Sequence, residues 1–188
     1  SVVHLLTRPH ENASMNINQD FLLERVLRKH PDVIGIGEMR SAAESLSAAE
    51  SSRTGHTVCT TIHSNSCEST YRRMMTLAKR KYNMDDSILM QIMVEAYPVV
   101  VFTKQLEDRS RKIMEIIEGK DYQDGHLLYR SLYKYEVVDN ITEPDGSTRV
   151  VGRHRKMGLI SDTLKKRLLD NGISHKELEE FTKTKEVD

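Results

Sequence analysis

No stretch of this sequence approaches the roughly 18 consecutive apolar residues that cross a bilayer, and 30% of its 188 residues are charged against 38% hydrophobic. Direct membrane insertion is therefore not expected. Lysine plus arginine and aspartate plus glutamate stand at 28 each, so the basic excess of a nucleic-acid binder is missing and no nucleic-acid partner is expected. Only two cysteines occur, Cys59 and Cys67, which implies no disulfide framework and suits a reducing compartment. No internal repeat or low-complexity tract is present. Among nine glycines only Gly119 precedes a lysine, and Asp121 follows, so the phosphate-cradling loop G-x-x-x-x-G-K-S/T is absent. A chain of this length can bury one core, or one core with a small appendage.

What is present is organised around Pro31 to Ser66, which reads as strand, helix, strand and helix start. The apolar run Val33 to Gly37 ends in an acid and a base, Glu38 and Arg40, at the carboxyl end of a buried strand. That edge is where open α/β sheets bind ligands. Ser41 with Glu44 forms a capping-box signature, opening a helix with Ala42, Leu46 and Ala49 on its apolar face, and Gly55 can stop it. A second β-rich run, TVCTTI, is followed by His63, Asn65 and Ser66. Two neighbouring strands would aim Glu38 and His63 at one rim.

These residues resemble the secretion ATPases of the type II and type IV systems, which also drive type IV and tight-adherence pili. PDVIGIGEMR is similar to the family's Walker B strand, with Glu38 as the catalytic glutamate, and TGHTVCTTIHSNS to its histidine box, carried by His56 and His63. HLLTRPHEN resembles the segment after the aspartate box. VVGRHRKMGLISDTLKKRLLDNGI resembles the closing segment of the CpaF-like branch, although Ser41 stands where that branch tends to have glycine and Arg53 precedes TGH. The resemblance runs from about Val2 to about Phe181. It implies an α/β fold: the carboxyl-terminal part of a RecA-like P-loop NTPase domain with a β-rich and helical appendage. It further implies ATP and Mg2+ as ligands of the longer protein, a homo-hexamer, an inner-membrane platform protein as partner, and a cytoplasmic place at the inner face of the membrane. The catalytic residues it implies are Glu38, His63 and Arg40, with His56 and Arg8 near nucleotide and no metal ligand in this chain. Lacking the phosphate loop, the chain is expected to be a fragment, inactive alone. The other reading is a non-catalytic interaction module that keeps the fold.

Along the chain, VVHLLT reads as β-rich, and its place at the start suggests that something precedes it. Asn18 caps a helix that Pro31 ends. Ser66 caps a helix with Tyr71, Met74, Met75 and Ala78 inward; the next runs from about Asp86 to Glu95 with Ile88, Ile92 and Ala96 packed. VVVFT and IMEIIEG form a hairpin. Alternation in LLYRSLYKYEVV puts Leu127, Tyr129, Tyr133, Tyr135 and Val137 on one face, and Pro144, Asp145 and Gly146 turn the chain into TRVV. A boundary is expected near Gly119, giving 1–118 as the later half of the ATPase domain and 119–188 as the appendage. Helices from Ser161 to Phe181 close the chain, Asn171 and Gly172 stopping the first and Ser174 with Glu177 capping the second.

Glu38 can polarise a water, and Gly35 and Gly37 leave room for close approach. The simpler reading of His63 is a satisfied strand-end histidine. His56, Cys59, His63 and Cys67 are spread along a strand whose residues alternate faces, which argues against zinc, and Cys59 mid-strand reads as an inert buried thiol. Arg25, Arg28, Arg40 and Arg53 are candidates for work at a neighbouring subunit's site, Arg40 first.

Overall fold

The structure is a computed structural model that describes residues 2–182. Its contacts divide the chain into two compact units, Ser1–Ser64 with Thr70–Tyr97, and Asn65–Ser69 with Pro98–Asp188. Gly119, the expected boundary, lies inside a strand of the second unit.

In the first unit, α1 (Gln19–Leu27) is capped by Asn18, whose side chain accepts from the Phe21 amide. Strand β1 (Val33–Ile36) leads into α2 (Ala42–Arg53), which returns the chain to β2 (Thr57–Thr60). The two strands pair in parallel from Val33↔Thr57 to Ile36↔Thr60. This is the expected strand, helix, strand unit, and the fold class is α/β.

Strand β1 is buried on one face only, through Ile34 and Ile36, while Val33 and Gly35 are exposed. Its described partner is β2 alone, and an open cleft of about 280 Å³ lies beside it, lined in part by Leu5, Leu22 and Val33. Residues 2–7 form no strand; the nearest pairing is an isolated bridge between Arg8 and Ile17. A β-prone run becomes a strand only beside a partner edge.

Helix α2 packs through small residues. Ala48, Ala49 and Ser45 are fully buried, whereas Leu46, expected inside, is half-buried. The Ser45 hydroxyl donates to the Met74 carbonyl and that of Ser52 to the Ala96 carbonyl, both at 2.8 Å, so the buried hydroxyls are satisfied. Helices α3 (Cys67–Lys79) and α4 (Asp86–Ala96) complete this part. Tyr71, Met74 and Ala78 are buried as the pattern predicts. On α4 the buried stripe is Leu89, Ile92, Met93 and Ala96, and Ile88 is exposed. One helical step is 100°, enough to move Ile88 off that stripe.

The second unit is an antiparallel sheet in the order β3 (Val99–Gln105), β4 (Arg111–Gln123), β5 (His126–Thr142), β6 (Thr148–Lys156), followed by α5 (Asp162–Asp170) and α6 (His175–Thr182). The two-residue turn between β4 and β5 is Asp124-Gly125, both at positive φ, as an I′ hairpin requires. Strict alternation in β5 is interrupted. Ile117 pairs with Ser131 but Ile116 with Tyr133, leaving Leu132 as an extra residue. Such a bulge reverses the faces beyond it. Leu127 and Tyr129 therefore share one face, while Tyr133, Tyr135 and Val137 share the other. Leu132 is buried at 5% exposed, as is Leu127 at 8%, against 41% for Tyr129. Gly152, opposite Val137, has no room for a Cβ, which would lie 2.5 Å from the Glu136 carbonyl and 2.6 Å from the Tyr135 ring.

The helices are tied to the sheet at a carboxylate. Glu118 on β4 is buried, and its two oxygens accept from the Ser161 amide, at 2.8 Å, and the Ser161 hydroxyl. Ser161 is also the N-cap of α5, accepting from the Leu164 amide at 3.1 Å.

Candidate functional site at the carboxyl ends of two parallel strands

Parallel pairing brings the carboxyl ends of β1 and β2 to one edge, and hydrogen bonds carry it past the strands. The Met39 amide donates to the Thr61 carbonyl at 2.8 Å, and the Thr61 hydroxyl donates to the Gly37 carbonyl at 2.6 Å. Met39 is buried and anchors the segment. The chain then turns sharply, because the Glu44 carboxylate receives the Arg40 amide at 2.6 Å and the Ser41 amide at 2.9 Å while the Ser41 hydroxyl accepts from the Glu44 amide. This is the capping box read from the sequence, extended by one residue. Glu38 is held between the strand end and the helix start.

The structure brings Glu38, Arg40 and His63 together. Glu38 Oε2 accepts from Arg40 Nε at 2.6 Å and from a second guanidinium nitrogen, and Oε1 lies 3.1 Å from His63 Nε2. Glu38 is 23% exposed, against 76% for Arg40 and 91% for His63, so a shielded carboxylate carries two solvent-facing partners. The Arg40 hydrogen bond holds the Glu38 carboxyl below the usual carboxylate range, outweighing the opposing effect of burial, and the charges of Arg40 and His63 add smaller effects in the same downward direction. Glu38 is thus ionised at neutral pH. A carboxylate has about four lone-pair sites, so Glu38 retains acceptor capacity for a water. Among the described residues, no side chain atom lies within 4 Å of where a Cβ on Gly37 would sit, and at Gly35 only the Cys59 thiol does so.

The other candidates stand elsewhere. His56 precedes β2, at the end opposite His63, half-buried and with its Nδ1 lacking a hydrogen-bond partner among the described residues. Arg8 is fixed through its backbone bridge to Ile17, and its exposed guanidinium has no hydrogen bond or ion pair with the described residues. Arg53 is engaged with Glu50 and Glu95, both at 2.9 Å, and Arg25 sits over the Phe21 ring. Cys59 departs from the burial expected of it. Cys59 is exposed and Cys67 is buried, its thiol donating to the Val100 and Glu115 carbonyls and pushed up to about 11, chiefly by burial. No group of three or more His, Cys, Asp or Glu suited to a metal occurs among the described residues. Thr61 is the site residue that sequence reasoning missed. Its position near the carboxyl end of the run TVCTTI was the available signal.

A carboxylate and an imidazole delivered to one rim by a parallel strand pair define an α/β protein with a strand-end site. The chain belongs to the type II/IV secretion system protein family, whose family model matches residues 2–140. It is similar to the protein transport protein HofB homolog of Haemophilus influenzae, 32% identical over 81 residues that cover 43% of this chain and 18% of that protein. It is likewise similar to the type IV pilus assembly ATPase PilB of Pseudomonas aeruginosa, 35% identical over 66 residues, 35% of this chain and 12% of PilB. The match thus spans less than a fifth of either relative. Among solved structures, the ATPase DotB of Legionella pneumophila overlays 81% of this chain and 30% of its own, at 18% identity and a TM-score of 0.44.

Proposed function

We propose that this chain is the water-activating part of a cytoplasmic motor ATPase of a type II/IV secretion or pilus-assembly system, in a RecA-like domain. The observation that carries the reading is the ionised Glu38 at the carboxyl end of β1, gripped by Arg40 and His63, in a chain of this family. Glu38 holds the attacking water and takes its proton. Arg40 keeps the carboxylate ionised and oriented. His63, largely solvent-facing, has its second ring nitrogen free to meet the terminal phosphate of ATP. Arg8 and His56 stand apart from this cluster, and their assignment to nucleotide rests on the family resemblance.

The residues here fit the hydrolytic half of a nucleotide site and not its phosphate-holding half. The sequence has no phosphate loop, and the described residues offer no set of three metal-ligating side chains for Mg2+, which when bound neutralises phosphate charge. We therefore assign the phosphates and Mg2+ to a segment outside this chain. The working machine is a homo-hexamer at the inner face of the membrane, driving a platform protein there. No described helix is long and apolar enough to cross a membrane.

The test is Mg-ATP turnover by this chain and by the gene product extended upstream of Ser1. The chain alone should be inactive; the extended protein should hydrolyse ATP and lose that activity on Glu38→Gln. Turnover by the chain alone, abolished by Glu38→Gln, would refute the division of labour. An extended protein without a phosphate loop and without turnover would refute the motor reading.

A further inference from the structure

The ladder between β1 and β2 ends at Ile36 opposite Thr60, and Glu38 stands beyond it. The step between is Gly37, which without a Cβ has the widest backbone freedom of any residue. Among the described residues no neighbouring atom lies within 4 Å of where its Cβ would sit, so packing does not restrain this step. Thr61 restrains it from the adjoining segment. The Thr61 hydroxyl donates to the Gly37 carbonyl at 2.6 Å, and the Thr61 carbonyl accepts from the Met39 amide at 2.8 Å. One residue thus grips the main chain on both sides of Glu38. His63, whose Nε2 lies 3.1 Å from Glu38 Oε1, follows two residues after Thr61 on the same segment.

We propose that Thr61 is a positioning residue for Glu38, bracketing it from Gly37 and Met39 so that the carboxylate and the His63 ring keep their places as one unit. The catalytic meaning of this clamp rests on the reading of Glu38 as the water-activating group; the clamp itself belongs to this chain. Any residue could supply the carbonyl half. The hydroxyl half needs threonine or serine, although the position is exposed and strand preference alone would accept valine equally well. Arg40 cannot replace it. The Arg40 guanidinium holds the carboxylate at 2.6 Å from Glu38's own segment and travels with it, whereas Thr61 fixes that segment to the one bearing His63. For a group that must place a water against a phosphate, a shift of about 1 Å can cost about 100-fold in rate.

The test compares Thr61→Val, which keeps the branched shape and strand preference, with Thr61→Ser, which keeps the hydroxyl. In the full chain, followed by NMR, the Met39 amide should exchange with solvent about three- to tenfold faster in the valine variant, the loss of one hydrogen bond, and at the parent rate in the serine variant. Cross-peaks between the His63 ring and the Glu38 side chain should fade with valine and persist with serine. In the protein extended upstream of Ser1, turning over Mg-ATP, Thr61→Val should lower kcat by about tenfold or more with KM within about twofold, and serine should restore it. Unchanged Met39 exchange and cross-peaks in the valine variant would overturn the proposal, as would a serine variant impaired like valine, or an active extended protein whose kcat ignores Thr61→Val. An extended parent that fails to hydrolyse ATP would count against the motor reading alone, and the exchange and cross-peak results would still decide the clamp.

Discussion

Replacing Ser161 by alanine should destabilise the second unit well beyond the loss of an ordinary helix cap. In the parent the Ser161 hydroxyl serves two groups at once, donating to buried Glu118 and accepting from the Leu164 amide. Alanine keeps the amide bond to Glu118 Oε2 and loses both hydroxyl interactions. The cap contributes about 1 kcal/mol. Removing a donor from a buried carboxylate costs about 1.5–3 kcal/mol more. One oxygen is shared, so strict addition fails, and the combined cost is about 2–4 kcal/mol. The comparison is Ser41→Ala, which removes a hydroxyl that accepts from the Glu44 amide and caps α2 without serving a buried carboxylate; it should cost about 1 kcal/mol. Urea unfolding of both variants of the full chain, with Glu118→Gln to close a double-mutant cycle, reads the difference. A coupling between Glu118 and Ser161 of at least about 1 kcal/mol is expected. Equal costs at Ser161 and Ser41 would refute the role of the buried carboxylate as the anchor of α5.

At the strand-end site, Arg40→Gln should move the Glu38 titration upward toward the ordinary carboxylate range, followed by carboxyl-carbon NMR. Because the folded value lies below the unfolded one, this interaction contributes stability above the ordinary carboxylate range and loses it as pH falls through the folded value; an unmoved midpoint in the variant would contradict that cause. Gly152→Ala should cost about 1–3 kcal/mol, because the new Cβ meets a backbone carbonyl that cannot step aside. Gly37→Ala, with open space around it, should stay within about 0.5 kcal/mol, and similar melting temperatures for the two would show the crowding at Gly152 to be wrong. Under native conditions iodoacetamide should modify Cys59 and spare Cys67, whose thiol is buried and raised to about 11. Mass spectrometry of the two peptides checks this, and comparable labelling would contradict the burial.

Local signals were the legible ones. Asn18, Ser41 with Glu44, and Ser174 with Glu177 cap helices where the spacing places them, because a cap is decided within a few residues. The approach of Glu38 to His63 followed from one inference, that two β-prone runs around a helix pair in parallel. What the sequence concealed depends on partners far along the chain. Whether VVHLLT becomes a strand depends on an edge to pair with, and Ile88 against Leu89 on which side of α4 meets neighbours. Cys59, expected buried, is exposed because β2, a strand of a two-stranded sheet, exposes alternate residues, while Cys67 is buried where it opens a helix beside the Val100 and Glu115 carbonyls. The Asp124-Gly125 dipeptide was in plain view as a hairpin signal; with it, β4 runs unbroken through Gly119.

The extra residue at Leu132 gives β5 the character of a sentence whose reading frame changes halfway. Odd-numbered positions carry one meaning before it and the opposite meaning after it, so Tyr129 and Tyr133, four residues apart, speak to different sides of the sheet. Deleting that single residue would leave the composition of the strand almost untouched and yet transpose every side chain from Tyr133 to Val137, carrying Tyr135 away from Gly152. Substitution at Leu132 costs a side chain; deletion costs the grammar of the strand.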